Sequence, residues 1–453
     1  MLSSADTPSA TAAPKRGAGP FINRNFALLW AGQSISYIGD ALLDFTFVLW
    51  IAFALGRGQS WAPLAVSGVL AASSVGTLVI GPISGVFVDR WDKRRTMLAV
   101  ILLQAILTAA LLLFADLTPL PFVPFFPGGH PSLVMKLVAL YVVIFLVYGL
   151  AQFARAARTA LIGDIVAEPD QPQASGLIET VANLSFLIGF GVAPLLFVPF
   201  GIGFALAADA LSFVAAFLAI LALHAPPAAH SVGQGERGNV GREFLAGLRF
   251  TLGNLVTRTL LVALVIVLFG SGAINALFVF FVAQDLHAPQ AAIGLFPVVL
   301  GVGAVLGSLL GGALAKRIGL ARIFWGSIVL AGLAAILLSR QTALIPGLVC
   351  AFLVGVPNGS LTVALMPLVL RVTPKDMVGR VMTVIEPAVT VAQVASIAIF
   401  GTLASTVFAN FHANLLGQPF DTYDALILLA GLLCLLAGGF AFASLRHADI
   451  STR

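Results

Sequence analysis

Charge is what this chain has least of. Asp, Glu, Lys and Arg make up 9% of its 453 residues and 59% are hydrophobic, whereas a typical soluble domain is about 25% charged. A water-soluble fold is excluded. Cysteine is nearly absent too: Cys350 and Cys434 both lie inside apolar stretches and read as packed thiols rather than a bridge or a metal pair. The six histidines, at positions 130, 224, 230, 287, 412 and 447, all fall in loops or tails, so no buried His-carboxylate metal cluster or catalytic triad can be assembled. No Gly-Lys dipeptide occurs, which removes a P-loop and any transport driven by the chain's own ATP hydrolysis. Gly301, Gly303 and Gly307 are spaced one residue too widely for a dinucleotide fingerprint, and no strand precedes them. These gaps argue against an enzyme, a cofactor and a bound metal. The net charge of +5 comes without a single basic patch, so nucleic acid is not an expected partner.

What fills the chain is apolar sequence. A hydrocarbon core about 30 Å thick needs roughly 20 apolar helical residues, because lipid cannot satisfy an exposed backbone amide. Twelve stretches fit, at 26–54, 63–88, 97–116, 133–154, 174–198, 201–223, 259–283, 291–315, 321–339, 343–370, 380–408 and 422–445. Residues 1–22, rich in Ser, Ala, Thr and Pro and lacking an apolar core, read as a disordered cytoplasmic tail and not a signal peptide. Of the 24 Lys and Arg, all but Arg57, Lys136 and Arg340 fall on the N-terminal side of these spans. The positive-inside rule then predicts a multi-pass protein of the cell (plasma or inner) membrane with both termini cytoplasmic.

Residues 224–257 divide the chain six plus six. The segment opens with Ala225, Pro226 and Pro227, a linker composition, and continues into Phe244, Leu245, Leu248, Leu252 and Leu255 interleaved with Arg242, Glu243, Arg249 and Asn254. That second pattern predicts an amphipathic helix at the cytoplasmic interface. The expected units are therefore a bundle at 23–223, the linker at 224–257, a second bundle at 258–446 and a tail at 447–453. The halves echo each other: Gly85 to Arg95 follows the second span, and Gly311 to Arg322, with Lys316 and Arg317, follows the eighth. Repeats of this kind frame a substrate site at a midplane cleft.

The stretch Gly85-Val-Phe-Val-Asp89-Arg90-Trp-Asp92-Lys93-Arg94-Arg95 resembles the diagnostic loop of the major facilitator superfamily. Three more stretches are similar to that superfamily's drug, macrolide and siderophore efflux branch: Leu29 to Asp40, Arg155 to Val166, and Asp209-Ala-Leu-Ser212-Phe. The resemblance spans about residues 22–446 and implies an all-α membrane protein of twelve transmembrane helices in two six-helix bundles. It departs from the branch at Gly189-Phe-Gly191-Val-Ala193-Pro194, which matches the antiporter motif only in part.

A carboxylate inside a bilayer costs about 2.5 to 3.5 kcal/mol on insertion scales, so each one asks for a reason. Asp40 and Asp44 are four residues apart, on one face of the first span near mid-depth. Two such groups in low dielectric cannot both ionise cheaply, and the pair is expected to bind a proton near neutral pH. Glu179 and Glu386 lie just inside the cytoplasmic entrance and serve equally well as proton sites or gate salt bridges; Pro387 weakens the helix beside the second. Asp209 reads as structural, bonding a neighbouring helix end. With no Lys or Arg expected at mid-depth, the cavity should be neutral to negative and admit cationic or neutral lipophilic molecules. Gln33, Gln152, Asn183, Asn275, Asn358 and Gln393 are intramembrane amides that can orient a ligand or bond between helices, and Asp40 can join them.

The loop after the second span has a mechanical reading. Gly85 permits close helix contact, and Asp89 can face the positive N-terminus of the eleventh span, with Arg90 and Arg380 extending the network and Lys93, Arg94 and Arg95 completing the basic turn. Such contacts form only when the cytoplasmic side is closed. The expected activity is secondary active transport: proton-coupled export, by antiport and alternating access, of amphipathic or cationic small molecules of the multidrug type. Its partners are the substrate, protons and the lipid bilayer, and the acting unit is a monomer. A siderophore or lysolipid transporter of the same fold is the alternative cargo reading. A non-transporting membrane sensor or scaffold is the alternative of another class.

Overall fold

The computed structural model of the protein describes residues 22–88, 90–115, 131–224, 240–375, 377–415 and 417–446. The chain enters the bilayer region with α1 (Arg24–Trp50), which runs into a π-helical turn at Ile51–Leu55. It continues through α2 (Ala62–Val88), α3 (Lys93–Ala110) and α4 (Leu133–Ile165). The next element, α5 (Gln171–Leu221), is 51 residues long and contains a break at Gly201, where φ is 66°. Before the break it runs parallel to α1: the Trp30 indole donates to the Leu177 carbonyl at 3.4 Å, and Gly189 abuts Ala41. After the break it runs antiparallel, with Gly39 against Asp209 and Ser212, and Gly32 against Ala216 and Ala219. Gly201 is thus a chain reversal that only a residue without a Cβ makes at no steric cost. Eleven described helices are long and apolar enough to cross a membrane, and the reversal makes α5 supply two spans.

The second half begins with α6 (Val240–Gly253), a short helix packed against the start of the eleventh helix. The spans α7 (Leu255–Gln284), α8 (Leu295–Ile318), α9 (Leu320–Leu338), α10 (Leu344–Val372), α11 (Val378–Ser405) and α12 (Thr422–Leu445) follow. Side-chain caps start several helices: Asn23 accepts from the Phe26 amide at 2.8 Å, Asp92 from Arg95 at 2.7 Å, and Asn254 from Val256 at 2.9 Å. Between α11 and α12 lies a feature absent from the sequence-based expectation, a hairpin of β1 (His412–Leu415) and β2 (Gln418–Asp421). Four-residue strands carry too little periodicity to be read against long apolar helices.

Small residues let the helices touch by their backbones. On α8, Gly303 and Gly307 abut the Phe352 and Val356 carbonyls of α10, while Gly355 and Gly359 of α10 abut the Leu300 and Ala304 carbonyls of α8. The Ser360 hydroxyl donates to the Gly307 carbonyl at 2.7 Å across that seam. In lipid, where apolar surface gains nothing by meeting apolar surface, such close packing and polar bonding hold helices together.

Among the described residues, the contacts between the two bundles gather at one end. Call the face where α1 begins the near face and its opposite the far face. In the far half, Gly401 of α11 lies against Ser67 and Pro63 of α2, and Gly294 and Gly301 of α8 lie against Phe190, Pro194 and Leu187 of α5. Four rings stack across this seam: Phe190 on Phe45 (4.6 Å), Phe45 on Phe278 (5.7 Å) and Phe278 on Phe296 (5.7 Å). Five whole helical turns are about 18 residues, so Gly85 lies on the face of α2 that carries Ser67, and Gly176 on the face of α5 that carries Pro194. Among the described residues nothing lies within 4 Å of a Cβ built on Gly85 or Gly176. Among the described residues the bundles are closed at the far face and parted at the near face.

Candidate functional site

A cavity of about 270 Å³ opens inside the first bundle. Asp40 and Asp44 reach it from α1, Thr77 from α2, Gln104 and Thr108 from α3, Tyr148, Gln152, Arg155 and Arg158 from α4, and Asp209 from the second arm of α5. The four-residue interval between Asp40 and Asp44 puts both carboxyls on its wall, as one helix face requires. Asp209 is 1% exposed. It is held by hydroxyl donors, Ser212 on its own helix at 3.3 Å and Thr108 from α3. The Tyr148 hydroxyl donates a hydrogen bond to Asp44 Oδ2.

A second cavity, of about 370 Å³, lies between the bundles. Asp44, Ser73, Ser74 and Tyr148 line it from the first bundle, Asn275 and Gln393 from the second, beneath Phe45, Phe186, Phe190 and Phe278. Asp44, Tyr148 and Ile144 line both cavities. The hydrogen-bonded Asp44–Tyr148 pair is therefore the polar part of the wall between the intrabundle cavity and the cleft.

Two cations line the intrabundle cavity where sequence reasoning expects none. Arg155 and Arg158 lie beyond the fourth span as hydropathy bounds it, at residue 154, but α4 continues to Ile165 and carries both inside it. Arg158 is 7% exposed. It donates to the Gln33 Oε1 at 2.7 Å and stands over the Tyr37 ring at 5.4 Å. Among the described residues no ion pair joins it to Asp40, Asp44 or Asp209. The apolar window broke at two arginines, yet the helix does not, because Arg is a good helix former. Tyr148 and Asp209 were also missed as site residues. A phenol four residues before Gln152, in a chain with only four tyrosines, was the available signal for the first; for Asp209 the signal was a carboxyl at mid-span.

The remaining candidates divide by position. Gln33 is committed to Arg158, and Gln152 lies in the intrabundle cavity, 3.4 Å from the Thr77 hydroxyl. Asn275 and Gln393 line the cleft. Asn183 donates to the Glu179 carbonyl one turn back on α5, and Glu179 and Glu386 are exposed toward the near face, outside both cavities. Asn358 on α10 lines neither. Of the gating set, Asp89 lies outside the described residues, and Arg90 and Arg95 are exposed. Lys93 pairs with Asp164 of α4 at 3.5 Å, and Arg94 donates to the Ile220 and Leu221 carbonyls that end α5, at 3.2 and 2.6 Å. Arg380 reaches the Met377 sulfur at 3.5 Å. With the near face open, the contacts made by Lys93 and Arg94 stay inside the first bundle.

Two helix bundles around a central cleft, with carboxyls and amides facing internal cavities, define a membrane transporter rather than an enzyme. The Major Facilitator Superfamily model matches residues 29–281 and 260–451, and the chain belongs to that family. It is 23% identical to the MFS-type transporter YkuC of Bacillus subtilis over 94% of this chain and 93% of that one. It is 24% identical to macrolide efflux protein A of Streptococcus pyogenes over 63% of this chain and 65% of that one. Among solved structures, a bacterial homologue of the iron transporter ferroportin in an inward-facing state superposes with a TM-score of 0.68 at 16% identity, covering 93% of this chain and 98% of that one. The chain is thus a multi-pass transporter of the major facilitator fold.

Proposed function

We propose that this protein is a proton-coupled exporter of amphipathic or cationic small molecules, with its near face cytoplasmic and both termini on that side. The observation that carries the reading is the shared wall: Asp44, bonded to Tyr148, faces the carboxyl-lined intrabundle cavity on one side and the cleft on the other. Three carboxyls around one low-dielectric cavity cannot all carry charge at low cost. A proton held among Asp40, Asp44 and Asp209 is therefore sensed at the edge of the cleft where a substrate would sit. A cation or polarised group entering from the cleft competes with that proton, which is the physical content of antiport.

The cleft's rim supports the substrate class. Its polar groups are a carboxyl, hydroxyls and amides, its roof is phenylalanine, and among its lining residues none is basic. An apolar cation is matched there and an anion is not. The basic near face supports the orientation, and the open near face supports an inward-open state, as in the ferroportin homologue. The likeness to macrolide efflux protein A supports export. Alternating access then amounts to parting the phenylalanine stack and bringing Gly85 and Gly176 against the opposite bundle.

The test is transport in inverted vesicles loaded with a lipophilic dye cation. Substrate-dependent proton movement should vanish in the paired substitution Asp40→Asn with Asp44→Asn. Proton movement equal to that of the unaltered protein would reject the coupling role.

A further inference from the structure

The near face carries a second site, away from both cavities. The ends of α8, α9, α10 and α12 surround a cavity of about 700 Å³ lined by Lys316, Arg317, Arg322, Arg371 and Arg446. Among the described residues no carboxylate lines it. Among the described residues none of the five cations makes an ion pair. The corresponding turn of the first bundle differs: Lys93 has Asp164, Arg94 has two helix-end carbonyls, and Asp92 stands among the basic residues. Five cations held around one space repel one another and gain from a counter-ion, and among the described residues none is supplied.

The surroundings identify the missing anion. Gly319, with φ 87°, turns the chain from α8 into α9, and no side chain caps the first amides of α9, which also point positive charge into this region. Trp325 packs edge-on against Phe442 at 4.8 Å, and the Arg446 guanidinium lies over the Phe442 ring at 5.8 Å, the amphipathic arrangement favoured at a headgroup boundary. Beside the cavity, Leu314, Ile318, Leu370 and Phe442 expose apolar surface. A soluble anion has no use for that surface; a lipid has acyl chains to lay on it. We propose that this cavity binds the phosphate of an anionic phospholipid from the surrounding leaflet, with Lys316, Arg322 and Arg371 as its principal cationic contacts. Occupancy ties the ends of four helices of the second bundle together at the face that must move.

The experiment uses the full chain in mixed micelles, measuring retained phosphatidylglycerol by native mass spectrometry. Phosphatidylcholine and inorganic phosphate are the comparison probes. Phosphatidylglycerol should be retained in preference to phosphatidylcholine. A juxtamembrane cation contributes about fivefold each, so the triple variant Lys316→Gln, Arg322→Gln, Arg371→Gln should weaken retention about a hundredfold. Arg371→Gln alone, which leaves most of the topogenic charge, should weaken it about fivefold. The control triple Arg24→Gln, Arg249→Gln, Arg258→Gln should retain the lipid. Equal retention of both lipids, equal loss in the control, or retention unchanged in Arg371→Gln would each overturn the proposal. Inorganic phosphate displacing phosphatidylglycerol at equal concentration would overturn the lipid as occupant.

Discussion

Among the contacts that close the far face, one glycine has a replacement whose consequence is calculable. A Cβ built on Gly401 of α11 falls 2.0 Å from the Ser67 hydroxyl, 2.6 Å from the Ser67 Cβ and 3.2 Å from the Pro63 carbonyl of α2. The hydroxyl can rotate away, but the Cβ and the carbonyl belong to the neighbouring helix and cannot. In Gly401→Val the two helices must separate, and overpacking of this kind costs about 1 to 3 kcal/mol. The gain in helix propensity on removing glycine applies to every folded state and cancels in the equilibrium between them. A penalty of about 2 kcal/mol on the far-closed state alone moves that equilibrium roughly thirtyfold. Spin labels at Phe87 on α2 and Thr383 on α11, both exposed, should show the near-face distance shortening in this variant. Adding Ser67→Gly should restore most of the original distribution, because it removes the two nearest atoms that the new side chain meets and leaves only the Pro63 carbonyl. An unchanged near-face distance with normal folding would refute the idea that this seam holds the two faces in opposition.

Other outcomes follow from neighbouring features. Phe278→Ala removes two of the three ring contacts in the far-face stack, each worth about 0.5 to 1.5 kcal/mol, so the same labels should report a shift of the same sign; none would mean the stack is not a gate. Arg158→Ala leaves the buried Gln33 oxygen without its donor, a loss of about 1 to 3 kcal/mol that should lower the thermal midpoint, whereas Arg158→Lys should recover part of it. Burial above all, and then the charges of Asp424 and Asp421, push the Asp285 carboxyl up to about 8. The folded protein keeps a proton there that the unfolded chain releases in the ordinary carboxyl range. That contribution to stability is complete at acid pH and is lost as pH rises towards about 8. Asp285→Asn should flatten the decline in melting midpoint over this window; parallel curves for the two proteins would exclude the assignment.

Much of the architecture is legible in the chain because bilayer thickness imposes a length on every apolar segment, and lipid leaves no structure but the helix for most of them. The spans, the six-plus-six division, the amphipathic α6 and the family all come from that constraint and from local motifs. The carboxyls of α1 are legible too, since four residues is a helical period whatever surrounds it. Arg158 was misplaced for a related reason: hydropathy ends where charge begins, but a helix ends only where capping or backbone geometry ends it.

Sequence alone determined that this chain is a twelve-span helical membrane protein with acidic groups in its first span and a basic face, because those properties depend on local composition and on the solvent. Only the tertiary structure decided that Asp209, some 170 residues distant, shares a cavity with Asp40, that Asp44 and Tyr148 form the wall of two cavities at once, and that the described residues of the two bundles touch at the far face. Those are facts about which helix lies beside which, and they are set by glycine contacts and packed side chains between segments far apart in the chain.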